Sequence, residues 1–205
     1  MKWTVYSDWE GPFLRRWHAR RVGLLAPLLN CFTRIGITPN SISVLSGIFG
    51  LAFLPLITIN YAAAVYALIL HMLLDSLDGP LATYTKTASN KGMLVDFTCD
   101  LIGIVATTIG LTLTGYITPF LSLLYLSLYI AISFTGVMQS ILNIKQSWSF
   151  RPRFWIYGAV IGLYVLESRF HIRVDVIQPF AIIACFLMLG AAVSDFRRLH
   201  AAAGK

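Results

Sequence analysis

The chain alternates long apolar stretches with short polar ones. Six apolar stretches approach the roughly 20 residues that a helix needs to cross a bilayer. They cover about 41–59, 61–83, 91–114, 118–142, 153–168 and 177–196. Polar or helix-breaking residues separate them, such as Asn60, Gly115 and the segment YTKTASNK at 84–91. The pattern predicts an all-α, polytopic membrane protein whose six transmembrane helices form one bundle at about 41–196.

A further helix is predicted ahead of the first span. In residues 11–33, GPFLRRWHARRVGLLAPLLNCFT, arginines alternate with Trp17, Leu24 and Leu28. This arrangement is typical of an interfacial amphipathic helix that lies on the anionic inner leaflet. A disordered basic arm is the alternative. Whether this segment is an interfacial helix or a disordered arm, residues 1–205 are expected to form a single membrane domain.

Composition and charge support this interpretation and orient the chain. Hydrophobic residues make up 57% and charged residues 12%, whereas soluble domains carry about 25% charged residues. Of the lysines and arginines, only Arg169 and Arg173 fall on one side of the predicted bundle. The positive-inside rule therefore places both termini in the cytoplasm. The small chain, without a recognisable targeting segment, favours a prokaryotic inner membrane. Because the basic N-terminus directly precedes membrane spans, no nucleic-acid partner is expected.

Four aspartates lie within the segment HMLLDSLDGPLATYTKTASNKGMLVDFTCD at 71–100. Asp75 and Asp78 are three residues apart on the second predicted span, and Asp96 and Asp100 are four apart on the third. Each pair therefore shares one helical face. Because a short loop joins the two helices, they are expected to be antiparallel neighbours. Both pairs then lie in the inner part of the membrane, within reach of the cytoplasm.

Very small residues accompany the aspartates. Gly79 and Ala82 fall on the face of Asp75, and Gly92 and Gly103 fall in line with the second pair. Small side chains remove bulk where another group must approach the backbone. The two faces are therefore interpreted as the walls of a binding site.

Four neighbouring carboxylates need a positive partner. Insertion of one charge into the membrane centre costs about 2.5–3.5 kcal/mol. Oxygen ligands without histidine or cysteine favour the hard cations Mg²⁺ or Mn²⁺, and two ions are usual where a group is displaced at phosphorus. The residues alone also allow another function. Intramembrane acids serve proton or cation transport, so a transporter remains an alternative.

The motif resembles the signature of the CDP-alcohol phosphatidyltransferases. It reads Asp75-x-x-Asp78-Gly79-x-x-Ala82-Thr83, then Gly92-x-x-x-Asp96-x-x-x-Asp100. The segment ITPNSIS at 37–43 is also similar to the family's usual approach to the first span. The resemblance implies transfer of a substituted phosphate from a CDP-linked lipid, commonly CDP-diacylglycerol, to an alcohol, with release of CMP. It also implies a need for Mg²⁺ or Mn²⁺ and a homodimer.

The resemblance also assigns roles by position. Asp75, Asp78 and Asp96 would be metal ligands, and Asp100 would be a further ligand and the general base. The CDP pocket would be lined by Asp75, Gly79, Ala82, Thr83 and Gly92. Thr83 departs from the family, which usually has arginine there. Three interpretations follow: another cation replaces the arginine, the substrate is atypical, or the protein is a weak or inactive relative.

Polar residues near the fourth and fifth spans are candidates for binding the acceptor. Gln139, Arg151 and Arg153 are suited to an anionic acceptor such as glycerol phosphate or a sugar phosphate. The positive-inside rule explains the arginines equally well. Free inositol, serine, choline and ethanolamine remain open as acceptors.

Two more residues of the second predicted span stand out. Pro80 is expected to disturb the helix locally, which is tolerable where the backbone lines a cavity. His71, one turn before Asp75, is interpreted as a polar residue at a helix contact, with participation in the aspartate network as the alternative.

Overall fold

The computed structural model describes residues 11–142, 144, 152–171 and 175–203, and the regular structure in these ranges is helical. The helices are α1 Gly11–Arg34, α2 Pro39–Ile59, α3 Tyr61–Tyr84, α4 Asn90–Leu113, α5 Pro119–Ile141, α6 Arg153–Phe170 and α7 Ile177–Ala203. The predicted all-α class is confirmed. The helix expected at 11–33 is α1; its position on a membrane surface stays a prediction.

Among the described residues, five helices are long and apolar enough to cross a membrane, judged by length and composition. They are α2, α3, α4, α5 as far as Gln139 and α7 as far as Ala202. Helix α6 has 18 residues and carries Arg153, Glu167 and Arg169. It is not among the five, so the predicted count of six spans is not confirmed.

Large apolar side chains cover the outside of the helices. Leu113 is 69% exposed, Phe120 77% and Phe186 73%. Such exposure is unfavourable in water but ordinary against lipid tails. The exposed apolar surface and the long apolar helices therefore both indicate an integral membrane protein.

Polar side chains at the helix ends set where α2 and α3 begin. The Thr38 hydroxyl accepts a hydrogen bond from the Ser41 N–H at 3.2 Å, and the Ser41 hydroxyl accepts one from the Thr38 N–H at 3.0 Å. This capping box, with Pro39 in the first turn, starts α2. Asn60 caps α3 by accepting from the Ala63 N–H at 3.1 Å. It is also the only residue between α2 and α3, so these helices are antiparallel.

The chain divides into two compact units, one of residues 11–110 and the other beginning at Leu111. In the first unit, α1 packs against α3 and α2 packs along α3. The buried side chains of Leu29, Ile42 and Leu81 bring α1, α2 and α3 into one apolar cluster. Helix α1 is therefore anchored to the helix that carries the first aspartate pair.

The second unit contains α5, α6 and α7. Both α5 and α6 pack on α7. Buried apolar side chains such as Ile156, Leu163 and Met188 fill the contacts, and the rings of Trp155 and Phe180 lie 6.2 Å apart. Helix α7 is thus the centre of this unit.

Candidate metal and nucleotide site

The first unit brings both aspartate pairs together. Asp75 and Asp78 lie in the last turns of α3, and Asp96 and Asp100 lie in the first turns of α4. The loop 85–89 between the two helices is short. It includes Lys86 in the left-handed region, with φ of 57°. Because the chain reverses at this loop, the last turns of α3 lie beside the first turns of α4.

Three of the four carboxylates form a compact cluster. Asp75, Asp78 and Asp96 each offer one oxygen, and these oxygens all lie within 4.8 Å of one another. Asp78 is buried, whereas Asp75 and Asp96 are half-buried. Asp100 follows one turn later on α4 and is half-buried, but it is not part of this group of three among the described residues.

The cluster is chemically suited to a divalent cation. Like charges held this close repel one another, and an all-carboxylate donor set matches the preference of Mg²⁺ and Mn²⁺ for oxygen. Asp75, Asp78 and Asp96 are therefore the residues that fit a metal ion. The number of ions stays a prediction.

Helix α2 orients the buried carboxylate. The Ser43 hydroxyl donates to Oδ2 of Asp78 at 2.6 Å, and the Gly79 N–H donates to Oδ1 at 2.5 Å. Both carboxylate oxygens are thereby fixed in direction. The role of Ser43, within the ITPNSIS segment, was not predicted, because nothing in the sequence places this residue beside α3.

Glycines allow α2 and α4 to approach closely. A Cβ added to Gly50 would lie 2.8 Å from Cα of Gly103, and one added to Gly47 would lie 3.0 Å from Cβ of Cys99. Gly103, predicted to clear space beside the aspartates, therefore serves this helix contact. Cys99 lies directly before Asp100, so the contact between Gly47 and Cys99 also fixes the position of this part of α4 along α2.

The other nucleotide candidates lie near the clustered aspartates along α3 and α4. Gly79 is exposed and Ala82 is half-buried near the end of α3. A Cβ on Gly92 would lie 3.2 Å from Oδ1 of Asn40, so Gly92 keeps α4 close to the start of α2. The exposed Thr83 hydroxyl donates to the Gly79 carbonyl at 3.0 Å.

His71 lies at a contact between α2 and α3. Its Nδ1 is 2.8 Å from the Ser46 hydroxyl, which also donates to the His71 carbonyl at 2.9 Å. The imidazole is buried. These contacts agree with the interpretation of His71 as a polar residue between packed helices.

The acceptor candidates belong to the second unit. Gln139 on α5 is buried, and its Nε2 donates to Oδ1 of Asp195 on α7 at 3.0 Å. Arg153 begins α6, is buried, and its guanidinium lies 5.2 Å from the centre of the Phe154 ring. Arg151 lies outside the described residues. Asp195 was not predicted as a site residue, although an acid within an apolar helix is a signal for one.

The sequence matches the CDP-alcohol phosphatidyltransferase family over residues 36–196. A search of curated proteins finds no match. The predicted family and its enzymatic character are therefore confirmed, as is the choice of Mg²⁺ or Mn²⁺, since the aspartate cluster fits such an ion. The alternative of a transporter finds no support.

The fold is similar to that of phosphatidylinositol phosphate synthase from Mycobacterium tuberculosis. The structure of that enzyme with CDP-DAG bound is 21% identical, covering 86% of this chain and 92% of that one, with a TM-score of 0.65. Its complex with manganese and citrate is 20% identical, covering 86% and 87%, with a TM-score of 0.64. At this identity the likeness establishes the fold alone.

Proposed function

The chain belongs to the CDP-alcohol phosphatidyltransferase family, and from this premise we propose that it transfers a phosphatidyl group from a CDP-linked lipid to an alcohol. CMP is released, and the product is a phospholipid. The observation that carries the proposal is the cluster of Asp75, Asp78 and Asp96 at the positions of the family motif. That one structural neighbour holds CDP-DAG supports CDP-diacylglycerol as the donor.

Asp75, Asp78 and Asp96 would hold Mg²⁺ or Mn²⁺, with Asp100 as a further ligand and two ions in all. When bound, the metal neutralises the diphosphate and acts as a Lewis acid on its oxygens. Ser43 holds the Asp78 carboxylate in place for this task. The close contact between Gly50 and Gly103 supports the position of α4 relative to α2.

Asp100 is the proposed general base. It takes the proton of the acceptor hydroxyl, and the acceptor oxygen forms a bond to the phosphorus that carries the lipid. The bond between this phosphorus and the oxygen of the CMP phosphate breaks, and CMP leaves with the electron pair. Among the described residues Asp100 is not one of the three clustered carboxylates, which supports a role as base in addition to that of a further ligand.

The nucleotide pocket is proposed to include Asp75, Gly79, Ala82, Thr83 and Gly92. The small side chains leave the backbone open to the ligand. Thr83 offers one hydroxyl where the family usually has a charged fork. We therefore expect weaker binding of the diphosphate than a relative with arginine would show.

The acceptor is proposed to be a phosphorylated alcohol that contacts Gln139, Arg153 and Arg151. Arg153 is a buried cation. Oε1 of Gln139 is also buried and accepts no hydrogen bond from the part of the chain that the structure describes. A polar ligand would satisfy such an atom. One structural neighbour is a phosphatidylinositol phosphate synthase, which also supports a phosphorylated acceptor over a neutral one.

The arrangement in the membrane is proposed as six spans that include α6, with α1 at the interface. The whole chain is then one membrane domain. Both termini and the active site face the cytoplasm of a prokaryotic inner membrane, as the distribution of basic residues indicates. A homodimer is proposed from the family.

CMP release by the purified protein in liposomes tests the function. The assay uses CDP-diacylglycerol, Mn²⁺ or Mg²⁺, and glycerol phosphate, inositol phosphate, inositol, serine, choline or ethanolamine. Release that depends on one alcohol identifies the acceptor. Asp100→Asn should lower kcat about 10²–10⁴-fold, as expected for loss of a general base. Donor binding without release, for every acceptor, would instead indicate a non-catalytic relative.

A further inference from the structure

Helix α3 contains a backbone defect at the aspartates. Pro80 lies inside the helix. Proline has no N–H, so the carbonyl four residues earlier, that of Ser76, has no helical donor from this position. The preceding N–H, that of Gly79, donates to the Asp78 carboxylate. The defect therefore lies in the same turn as Asp75 and Asp78.

A side chain from another helix supplies the missing donor. Nη2 of Arg21 on α1 donates to the carbonyl oxygen of Ser76. The Ser76 hydroxyl is not involved, since it donates to the Leu73 carbonyl at 2.7 Å. Arg21 thus contacts the one backbone oxygen that Pro80 deprives of its helical partner.

Packing holds Arg21 at this place. Val22 and Leu25 of α1 lie against the apolar cluster that contains Leu29 and Leu81. Arg21 is half-buried, whereas the neighbouring Arg20 is exposed. The two arginines therefore have different surroundings, although both belong to the basic stretch of α1.

We propose that Arg21 is a positioning residue for the metal site, because it stabilises the carbonyl of Ser76 between Asp75 and Asp78. A partly buried carbonyl that lacks a donor is unfavourable. Without Arg21 this turn of α3 relaxes, and the two aspartates lose their fixed spacing. The inference rests on the proposed function, since it assumes that these aspartates bind a divalent cation.

The test uses the full chain in detergent. Mn²⁺ binding is measured from the electron paramagnetic resonance signal of the free ion. Arg21→Gln removes the charged guanidinium and leaves an amide two bonds shorter, so it should weaken Mn²⁺ binding about tenfold, the effect of one charged hydrogen bond. Arg21→Lys keeps one donor and should retain most of the affinity. Pro80→Ala restores the helical N–H, so Arg21→Gln in the Pro80→Ala background should weaken binding by less than about twofold.

Arg20→Gln is the matched control, because it removes the same charge from an exposed position of the same helix. It should leave Mn²⁺ affinity unchanged. Equal losses from Arg21→Gln with and without Pro80→Ala, or no loss at all, would overturn the inference. If Arg21→Gln gives no folded protein, recovery of folded protein in the double variant supports the proposal and failure to recover contradicts it.

Wild-type protein and Asp75→Asn separate this inference from the proposed function. If the wild type binds no Mn²⁺, or if Asp75→Asn binds it equally well, the proposed metal site itself is wrong. If the wild type binds Mn²⁺ and Asp75→Asn does not, an Arg21 effect that is independent of Pro80 rejects only the role of Arg21.

Discussion

The two units of the molecule bury polar side chains in different ways. In residues 11–110, the candidate site comes from the adjoining ends of α3 and α4, and its carboxylates repeat at helical spacing. In the unit that begins at Leu111, Gln139 on α5 meets Asp195 on α7, 56 residues away. Arg153 comes from the helix between them. One unit holds its carboxylates in a single cluster, whereas in the other a buried amide bonds to a buried acid and a buried arginine begins α6.

This difference indicates two kinds of ligand. A cluster of carboxylates within 4.8 Å of one another is suited to a divalent cation. A buried arginine and a buried amide oxygen suit the phosphate and hydroxyl groups of an alcohol. We therefore expect changes in the first unit to affect metal binding and the rate of the reaction, and changes in the second to affect acceptor affinity.

The largest effect is expected from the metal cluster. Asp96→Asn removes one carboxylate of the three, so kcat/KM for CMP release should fall about 10³-fold or more. The rise in unfolding temperature that Mn²⁺ causes in the wild type should disappear. Asp175→Asn, an exposed acid outside the spans, is the control. A variant at Asp96 that keeps both the activity and the Mn²⁺ effect would contradict the metal assignment.

The next effect is expected at the contact between α2 and α4. Gly50→Ala would bring its Cβ within 2.8 Å of the Gly103 backbone, so the helices must separate. We expect a loss of about 1–3 kcal/mol in the free energy of unfolding and weaker Mn²⁺ binding. Gly158→Ala on α6 is the matched control, because nothing described lies within 4 Å of its added Cβ. Equal unfolding temperatures for the two variants would show that the contact is not needed.

A smaller effect is expected in the second unit. Gln139→Leu removes the bond to Asp195 and the amide oxygen that we assign to the acceptor. The KM for the acceptor should rise about tenfold, with Mn²⁺ affinity unchanged. Phe134→Leu, an exposed substitution on the same helix, serves as the control. If Gln139→Leu instead weakens Mn²⁺ binding, the division of tasks between the units is wrong.

The smallest effect is expected at Thr83. Thr83→Arg adds a charged donor near the proposed diphosphate position, and it should tighten binding of CDP-diacylglycerol a few-fold. Thr83→Gln, which adds length without charge, separates electrostatics from size. Unchanged donor affinity in Thr83→Arg would mean that another group already fulfils this role or that the diphosphate lies elsewhere.

Much of the first unit is predictable because its information is local. Helix bounds follow from apolar length and from caps such as Thr38 and Asn60, which act within three residues. The shared faces of Asp75 with Asp78 and of Asp96 with Asp100 follow from helical geometry. A short loop then requires the two ends to lie together. In the second unit, α6 is less predictable, since its length favours a span whereas its Arg153, Glu167 and Arg169 oppose one.

The sequence by itself thus determined the all-helical membrane fold, the candidate carboxylates and the family. Only the tertiary structure decided which distant side chains complete the sites: Ser43 on Asp78, Arg21 on the Ser76 carbonyl and Asp195 beside Gln139. The physical reason is range. Helical periodicity relates residues within a few turns of each other, whereas these contacts depend on which faces of separate helices pack together, and no local pattern specifies that.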